Sequence, residues 1–388
     1  MTTGHHKVKN PRILYMQYTN PAIYPPLEHS SRILADVGWH VLFLGIQAWR
    51  GDPLRFLGHP QISVRYLPAQ APGWRQKLHY IWYFCWVVTW VLRWRPQWVY
   101  ASDIYSAPIA WLLSYLPGLR VIYHEHDSPS TNVVQPDTPV MHMVLWARRR
   151  LASRARFIVL PNEQRAETFR RTLAPVCPVF TVWNCPRLDE VAPDDNHKQS
   201  EAIIVLYQGS IVPERLPPSV VEALAFLPSH VHLHVIGYET IGSYGYIKQL
   251  EALAEQLGVR ERVLFSGPLS RYKMLKHSRQ AHIGLALMPL RSDDDNMFAM
   301  VGASNKVFDY LASGLALLVS DLPSWQESYV AEGYARACNP SDPQSIVSAI
   351  RWYLDHPNEL REMGERGRQR ILAEWNYNVQ FAPVLEVF

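Results

Sequence analysis

The stretch Ala202-Ile203-Ile204-Val205-Leu206-Tyr207-Gln208-Gly209-Ser210-Ile211-Val212-Pro213-Glu214-Arg215 decides the fold. Its continuous apolar run, rich in β-branched residues, fits a strand buried on both faces. The strand is expected to end at the glycine, with a helix beginning near Pro217 just after a cation. Strand, turn and helix in that order are the repeating unit of a parallel sheet. Such sheets bind ligands beyond the carboxyl ends of their strands, where helix N-termini favour phosphate.

The same unit recurs on both sides. Further strands are predicted at 231–236, 262–265, 283–287 and 315–320, and an earlier series at 13–17, 40–45, 98–101, 120–124, 157–160 and 179–182. The aperiodic polar stretch 186–200, with Asp189, Glu190, Asp194, Asp195 and Lys198, separates the series as a linker. The reading is therefore a first domain at 1–185, a linker at 186–200 and a second domain at 201–374. Residues 345–374 read as two helices broken at His356-Pro357. The aromatic, apolar segment 375–388 is expected to pack back on the first domain. A chain of 388 residues, 48% hydrophobic, is enough for two cores.

Charged residues at 19% and aromatics at 12% argue for a folded protein. Cys85, Cys177, Cys185 and Cys338 have no paired spacing, and residues 1–10 lack the apolar core of a secretory signal. A reduced, cytoplasmic location follows as the expectation. Net charge is only +4, but arginines stand at 148, 149, 150, 154 and 156. That local basic run suits phosphate, an anionic membrane surface, or a solvated helix face. No nucleic-acid motif accompanies it, so nucleic acid is not an expected partner.

Two places in the second half carry candidate chemistry. Gly209, Ser210 and Arg215 could surround a phosphate, or form an ordinary turn with a surface arginine. Residues 304–314 read as a helix entered at Ser304 and stopped at Gly314, with Asn305, Lys306 and Asp309 near its start. Lys306 in the first turn could join the backbone N–H groups around a diphosphate. Asp309 could accept hydrogen bonds from two ribose hydroxyls; the plainer alternative is a surface (i, i+3) ion pair worth about 0.3 kcal/mol. The run Asp293-Asp294-Asp295 reads as a solvated acidic turn rather than a metal site. No Gly-x-Gly-x-x-Gly follows a predicted strand, which disfavours a dinucleotide oxidoreductase. In the first half, Val121-Ile122-Tyr123-His124-Glu125-His126-Asp127 ends a strand with two imidazoles on one side, placed to orient or deprotonate a hydroxyl or to serve structure.

In order, Gly209 to Arg215, Val235-Ile236-Gly237, Arg262 to Gly267, Asn305 to Gly314 and Val319-Ser320-Asp321 resemble the second domain of family 4 glycosyltransferases. The resemblance spans 202–375 and is weaker over 1–190. It implies an α/β chain of GT-B fold, two Rossmann-like parallel-sheet domains facing across a cleft, that transfers a sugar with retention of configuration. It also implies a UDP- or GDP-sugar donor, no metal or other cofactor, and a glycan or lipid-linked acceptor. Arg215 matches the family's phosphate-binding lysine, Asp309 its ribose-holding carboxylate, and Asn305-Lys306 the pair before it. Gly209 and Gly237 match its glycines. His126 and Asp127 match the histidine and glutamate of its acceptor-side motif. Two positions depart: Ser210 replaces an arginine, and Val301 replaces the first glutamate, which contacts the transferred sugar. Those departures keep two other readings open, a sugar-nucleotide epimerase of the same fold and a non-catalytic sugar-nucleotide-binding protein.

Residues 78–92 are apolar on nearly every helical face and flanked by Arg75, Lys77, Arg93 and Arg95. At about 1.5 Å per residue the run falls short of a bilayer core of roughly 30 Å. It is either a buried helix of the first domain or, through Trp82, Trp86 and Trp90, an interfacial helix. In the second case 78–95 and 148–156 would hold the protein peripherally on the inner membrane face.

Overall fold

A computed structural model of the chain describes residues 10–47, 54–56, 58–71, 73–129, 138–193 and 202–388. They form two compact units, Met1–Trp183 with Gln380–Phe388, and Asn184–Val379. The first holds a parallel sheet of β1 (Arg12–Met16), β2 (His40–Ile46), β3 (Ile62–Leu67), β4 (Trp98–Ser102), β5 (Arg120–His124), β6 (Phe157–Leu160) and β7 (Val179–Thr181). Their spatial order is β3-β2-β1-β4-β5-β6-β7. The second holds β8 (Ile203–Ile211), β9 (Val231–Glu239), β10 (Val263–Phe265), β11 (Ile283–Ala286), β12 (Ala316–Ser320) and β13 (Ala335–Cys338), ordered β10-β9-β8-β11-β12-β13. Each is a Rossmann-like sheet with helical crossovers. In each, the order reverses beside the first strand, between β1 and β4 and between β8 and β11. Those switch points are where open parallel sheets leave a crevice.

The sequence reading lacked β3 and β13, both edge strands. Ile62–Leu67 alternates exposed and half-buried residues and so has no apolar run to read; Ala335–Cys338 is only 4 residues long. Residues 184 and 185, expected to close the first domain, and 186–193, from the stretch expected as a linker, belong to the second unit; 194–200 lie outside the described residues. At the chain's end Phe388 packs against Trp98, Trp39 and Phe157, with ring centroids 4.7, 5.2 and 5.9 Å away.

The apolar stretch becomes a helix, Trp74–Trp94, that buries the single row His79, Tyr83, Val87 and Val91. Trp86 and Trp90 are half-buried, and the Arg65 guanidinium lies over Trp90. The exposed stripe is therefore not the expected 82, 86, 90 row but Trp74, Leu78, Ile81, Trp82 and Leu92, with Cys85 between them. Among the described residues no helix is long and apolar enough to cross a membrane.

The basic run at 148–156 also divides. Arg148 is buried and forms a two-pronged ion pair with Glu125, its Nη2 donating to Oε1 at 2.7 Å. It belongs to the core, because the helix Pro139–Ala152 turns that face inward. Arg149, Arg150, Arg154 and Arg156 remain exposed.

Candidate active site

In the second unit β8 does not stop at the glycine as expected. It continues through Gly209 and Ser210 to Ile211, paired with a β9 that runs to Glu239, so Gly209 and Gly237 are register partners. Glycine is required at 237: a Cβ there would lie 1.8 Å from the Gly209 carbonyl oxygen. Gly209 takes φ +119°, and a Cβ on it would face the end of the Lys306 side chain at 3.7 Å.

Lys306 stands in the first turn of the helix Asn305–Ala312. That helix has no solvent face, since every residue from Lys306 to Ala312 is buried. The Lys306 Nζ has no hydrogen-bond partner among the described residues and sits 4.4 Å from the centre of the Tyr207 ring. Burial, then the nearby Arg215 charge, holds its pKa well below the usual lysine range. Arg215 donates from Nη1 to Ser210 Oγ at 3.2 Å, while its Nε and the Asn305 Oδ1 have no partner among the described residues. A buried cation without a counter-charge costs several kcal/mol. An anion beside Gly209 would relieve Lys306 and Arg215 together.

Asp309 does not pair with Lys306. Its Oδ1 accepts from Arg271 Nη2 at 2.8 Å, and its Oδ2 from Arg271 Nη1 at 3.2 Å and Gln208 Nε2 at 3.1 Å. Arg271 also reaches the Glu190 carboxylate, from Nη2 at 2.8 Å. Both carboxylates hold the Arg271 pKa well above its ordinary value against the opposing effect of burial. Arg271 was missed in the sequence, where it follows a loop with no motif around it; Gln208 was read only as strand. Asn184 donates from its backbone N–H to Gly302 O at 2.7 Å and from Nδ2 to Ala303 O at 2.7 Å, anchoring the loop that launches the Lys306 helix. Val301 lies in that same loop and brings no carboxylate. Among the described residues no group of three or more His, Cys, Asp or Glu is placed to hold a metal.

In the first unit β5 delivers both histidines to its carboxyl end, ring centroids 4.0 Å apart. His124 is fully buried, 2.8 Å from the Tyr100 hydroxyl. His126 stacks on Tyr24 at 4.8 Å and its Nε2 is 3.0 Å from Ser102 Oγ. Burial pulls the His126 pKa down to about 4, so at neutral pH it is an uncharged imidazole. Asp127 is exposed and pairs with Arg165 at 3.4 Å. Beside them stands Asp103, at the end of β4, to which the sequence reading gave no role. Its Oδ2 accepts from Gln17 Nε2 at 2.7 Å.

These features fit what comparison with known proteins finds. Residues 27–184 match the model of a glycosyl transferase 4-like domain, and residues 219–386 that of a glycosyl transferase-like domain. Sucrose-phosphate synthase from Thermosynechococcus elongatus shares the fold over 97% of this chain and 98% of its own, with TM-score 0.73 and 17% identity. HepE from Anabaena, solved with UDP, does so over 97% and 99%, with TM-score 0.71 and 14% identity. WaaG, a glycosyltransferase involved in lipopolysaccharide biosynthesis, covers 95% and 97%, with TM-score 0.68 and 16% identity. A D-inositol 3-phosphate glycosyltransferase of Xylanimonas cellulosilytica is 36% identical over 80 residues, 21% of this chain and 19% of that protein. The architecture is that of the GT-B glycosyltransferases. Within it, the chain belongs to the family 4-like glycosyltransferases.

Proposed function

We propose that the chain moves a sugar from a UDP- or GDP-sugar to a hydroxyl of a glycan or lipid-linked acceptor, with retention and without a metal. The observation that carries this reading is the buried Lys306 ammonium beside Gly209, without a hydrogen-bond partner among the described residues and with the half-buried Arg215 charge close by. A nucleotide diphosphate supplies the missing negative charge. HepE, solved with UDP and with UDP-glucose on the same fold, supports the donor class. Asp309, held by Arg271 and Gln208, would present a fixed carboxylate to the ribose, since an ionised carboxylate offers about four acceptor positions. With Val301 in place of a carboxylate, no protein nucleophile is assigned. The acceptor oxygen bonds to the anomeric carbon on the face the diphosphate leaves, the electron pair of the broken C–O bond stays on the diphosphate, and the hydroxyl proton passes to it. Lys306 and Arg215 stabilise that growing charge.

The test is calorimetric titration with UDP and GDP, with and without EDTA. One of them binds, EDTA changes nothing, and Lys306→Met weakens binding by about 10- to 100-fold, the loss of a charge-assisted contact. Unchanged affinity in the variant removes Lys306 from the site. Donor consumption without any acceptor would favour an epimerase, and donor binding without turnover a non-catalytic protein.

The exposed stripe of the Trp74–Trp94 helix favours a membrane surface as partner. The helix has no acidic residue, and Arg75, Lys77 and Arg93 flank its exposed apolar side chains. That composition suits anionic headgroups. Binding to phosphatidylglycerol vesicles is expected at low salt, weakening as salt rises and with Trp74, Leu78 and Trp82 changed to serine. A wild-type protein that stays unbound at low salt overturns this partner.

A further inference from the structure

An ionised carboxylate offers about four acceptor positions, and a guanidinium five N–H donors. Asp309 has filled at least three of its positions: Arg271 donates from Nη2 at 2.8 Å and Nη1 at 3.2 Å, and Gln208 from Nε2 at 3.1 Å. Gln208 is buried and fixed in that orientation by Ser278, whose Oγ donates to its Oε1 at 3.2 Å. The Asp309 carboxylate therefore has room for one further donor at most. Arg271 is nearly saturated as well. Its Nε and one Nη2 N–H go to Glu190, the other Nη2 N–H and one of the Nη1 pair to Asp309. The second Nη1 N–H has no partner among the described residues. The two residual positions thus lie on adjacent groups, an acceptor on Asp309 and a donor on Arg271. The arginine is the easier to reach, its side chain 11% exposed against 3% for Asp309.

We propose that Arg271 is itself a ribose-binding residue, its remaining Nη1 N–H donating to one hydroxyl of the vicinal pair while Asp309 accepts from the other. Each hydroxyl can donate or accept, so an acceptor and a donor side by side hold the pair as well as two acceptors would. Lys306 precedes Asp309 by three residues on one helix, a rise of about 4.5 Å, which sets Asp309 and Arg271 beside the diphosphate position. Glu190 grips the Nε edge of the guanidinium and so fixes its plane. This division differs from what the resemblance implies, one carboxylate holding both hydroxyls, because Arg271 and Gln208 already occupy the lone pairs that the second hydroxyl would need. The inference rests on the nucleotide-diphosphate donor reading.

Calorimetric titration of the full chain tests it, with UDP, or GDP if that is the nucleotide bound, against the 2′-deoxy, 3′-deoxy, 2′-fluoro and 3′-fluoro analogues. Each deoxy analogue is expected to bind about 10- to 100-fold more weakly than the parent, the loss of a hydrogen bond to a charged group. Fluorine donates nothing and carries partial negative charge, so it is opposed beside the carboxylate and favoured beside the guanidinium. One fluoro analogue should therefore bind more weakly than its matching deoxy compound, and the other more tightly. Both weaker would mean that both hydroxyls face Asp309, and both tighter that neither does; either result overturns the assignment, as do deoxy analogues that bind like the parent. In Arg271→Lys only one hydroxyl should cease to matter. Loss of both preferences together would reduce Arg271 to positioning Asp309, and retention of both would remove it from the site. Should that variant not fold, the wild-type fluoro comparison decides. No affinity for UDP or GDP overturns the donor reading and this inference with it, whereas normal parent affinity with any other adverse result overturns this inference alone.

Discussion

Both sheets reverse strand order beside their first strand, yet the two switch points hold opposite chemistry. Beside β8 stands a lysine whose ammonium faces a tyrosine ring and has no hydrogen-bond partner among the described residues. Beside β1 stands an aspartate bent into a conformation that suits glycine. Each unit also holds an arginine in a carboxylate ion pair: half-buried Arg271 with Asp309 and Glu190 in the second, buried Arg148 with Glu125 in the first. The comparison separates two kinds of work. The paired arginines fix positions and have their charge met without a ligand. The unpaired lysine and strained aspartate are costs the folded protein carries, and such costs concentrate where ligands bind.

The largest effects should come from the supports. Arg271→Ala leaves two carboxylates without their cation and is expected to destabilise the protein by about 3–5 kcal/mol, with Arg148→Ala, which strands one carboxylate, at or below the lower end. Thermal unfolding reads both; equal losses would mean that Glu190 adds nothing to the second pair. The costly groups should behave the other way. Lys306→Met removes an uncompensated buried charge while keeping an apolar stem, so the ligand-free melting temperature should rise by a few degrees. A fall would mean that Lys306 is already compensated.

Asp103 allows a finer cut. Alanine and glycine both delete the carboxylate, but only glycine relieves the backbone, so Asp103→Gly should be more stable than Asp103→Ala by about 1–3 kcal/mol. Equal stability would remove strain from the account. A further effect is in pH. An unperturbed aspartate ionises near 3.9, while Asp103 in the fold does so at about 7. Between those values the folded state holds the extra proton, so this group's contribution to stability is lost as pH rises from about 4 to 7. The titratable groups facing it are Asp127, Glu125 and His126, the last already neutral over most of that range. The melting temperature of Asp103→Asn relative to wild type should therefore climb with pH across that window. A constant difference would show that Asp103 titrates normally.

The buried strands were legible because their apolar runs are intrinsic to the chain, as in 203–207 and 157–160. β3 was not, because an edge strand with polar alternation resembles loop. Gly209, Lys306 and Asp309 were singled out through motif order, and the structure brings them to one switch point. Their partners were not found: whether Asp309 meets Lys306 or Arg271 depends on how the helix Arg271–Ser278 docks, 38 residues away in sequence. Arg148 was misread for a related reason, since five nearby arginines look alike until one helix face turns inward. Asp103 was invisible because its signal is a pair of backbone angles, which no side-chain pattern announces.

One thiol acquires a use from its position. Cys85 is the exposed cysteine on the Trp74–Trp94 helix, set among Ile81, Trp82 and Leu92, while Cys185 and Cys338 are buried. A water-soluble maleimide would footprint that helix from the outside without any engineered label. If lipid covers the stripe, alkylation of Cys85 should slow as vesicles are added and recover with salt, while half-buried Cys177, off that helix, keeps its own rate as an internal clock.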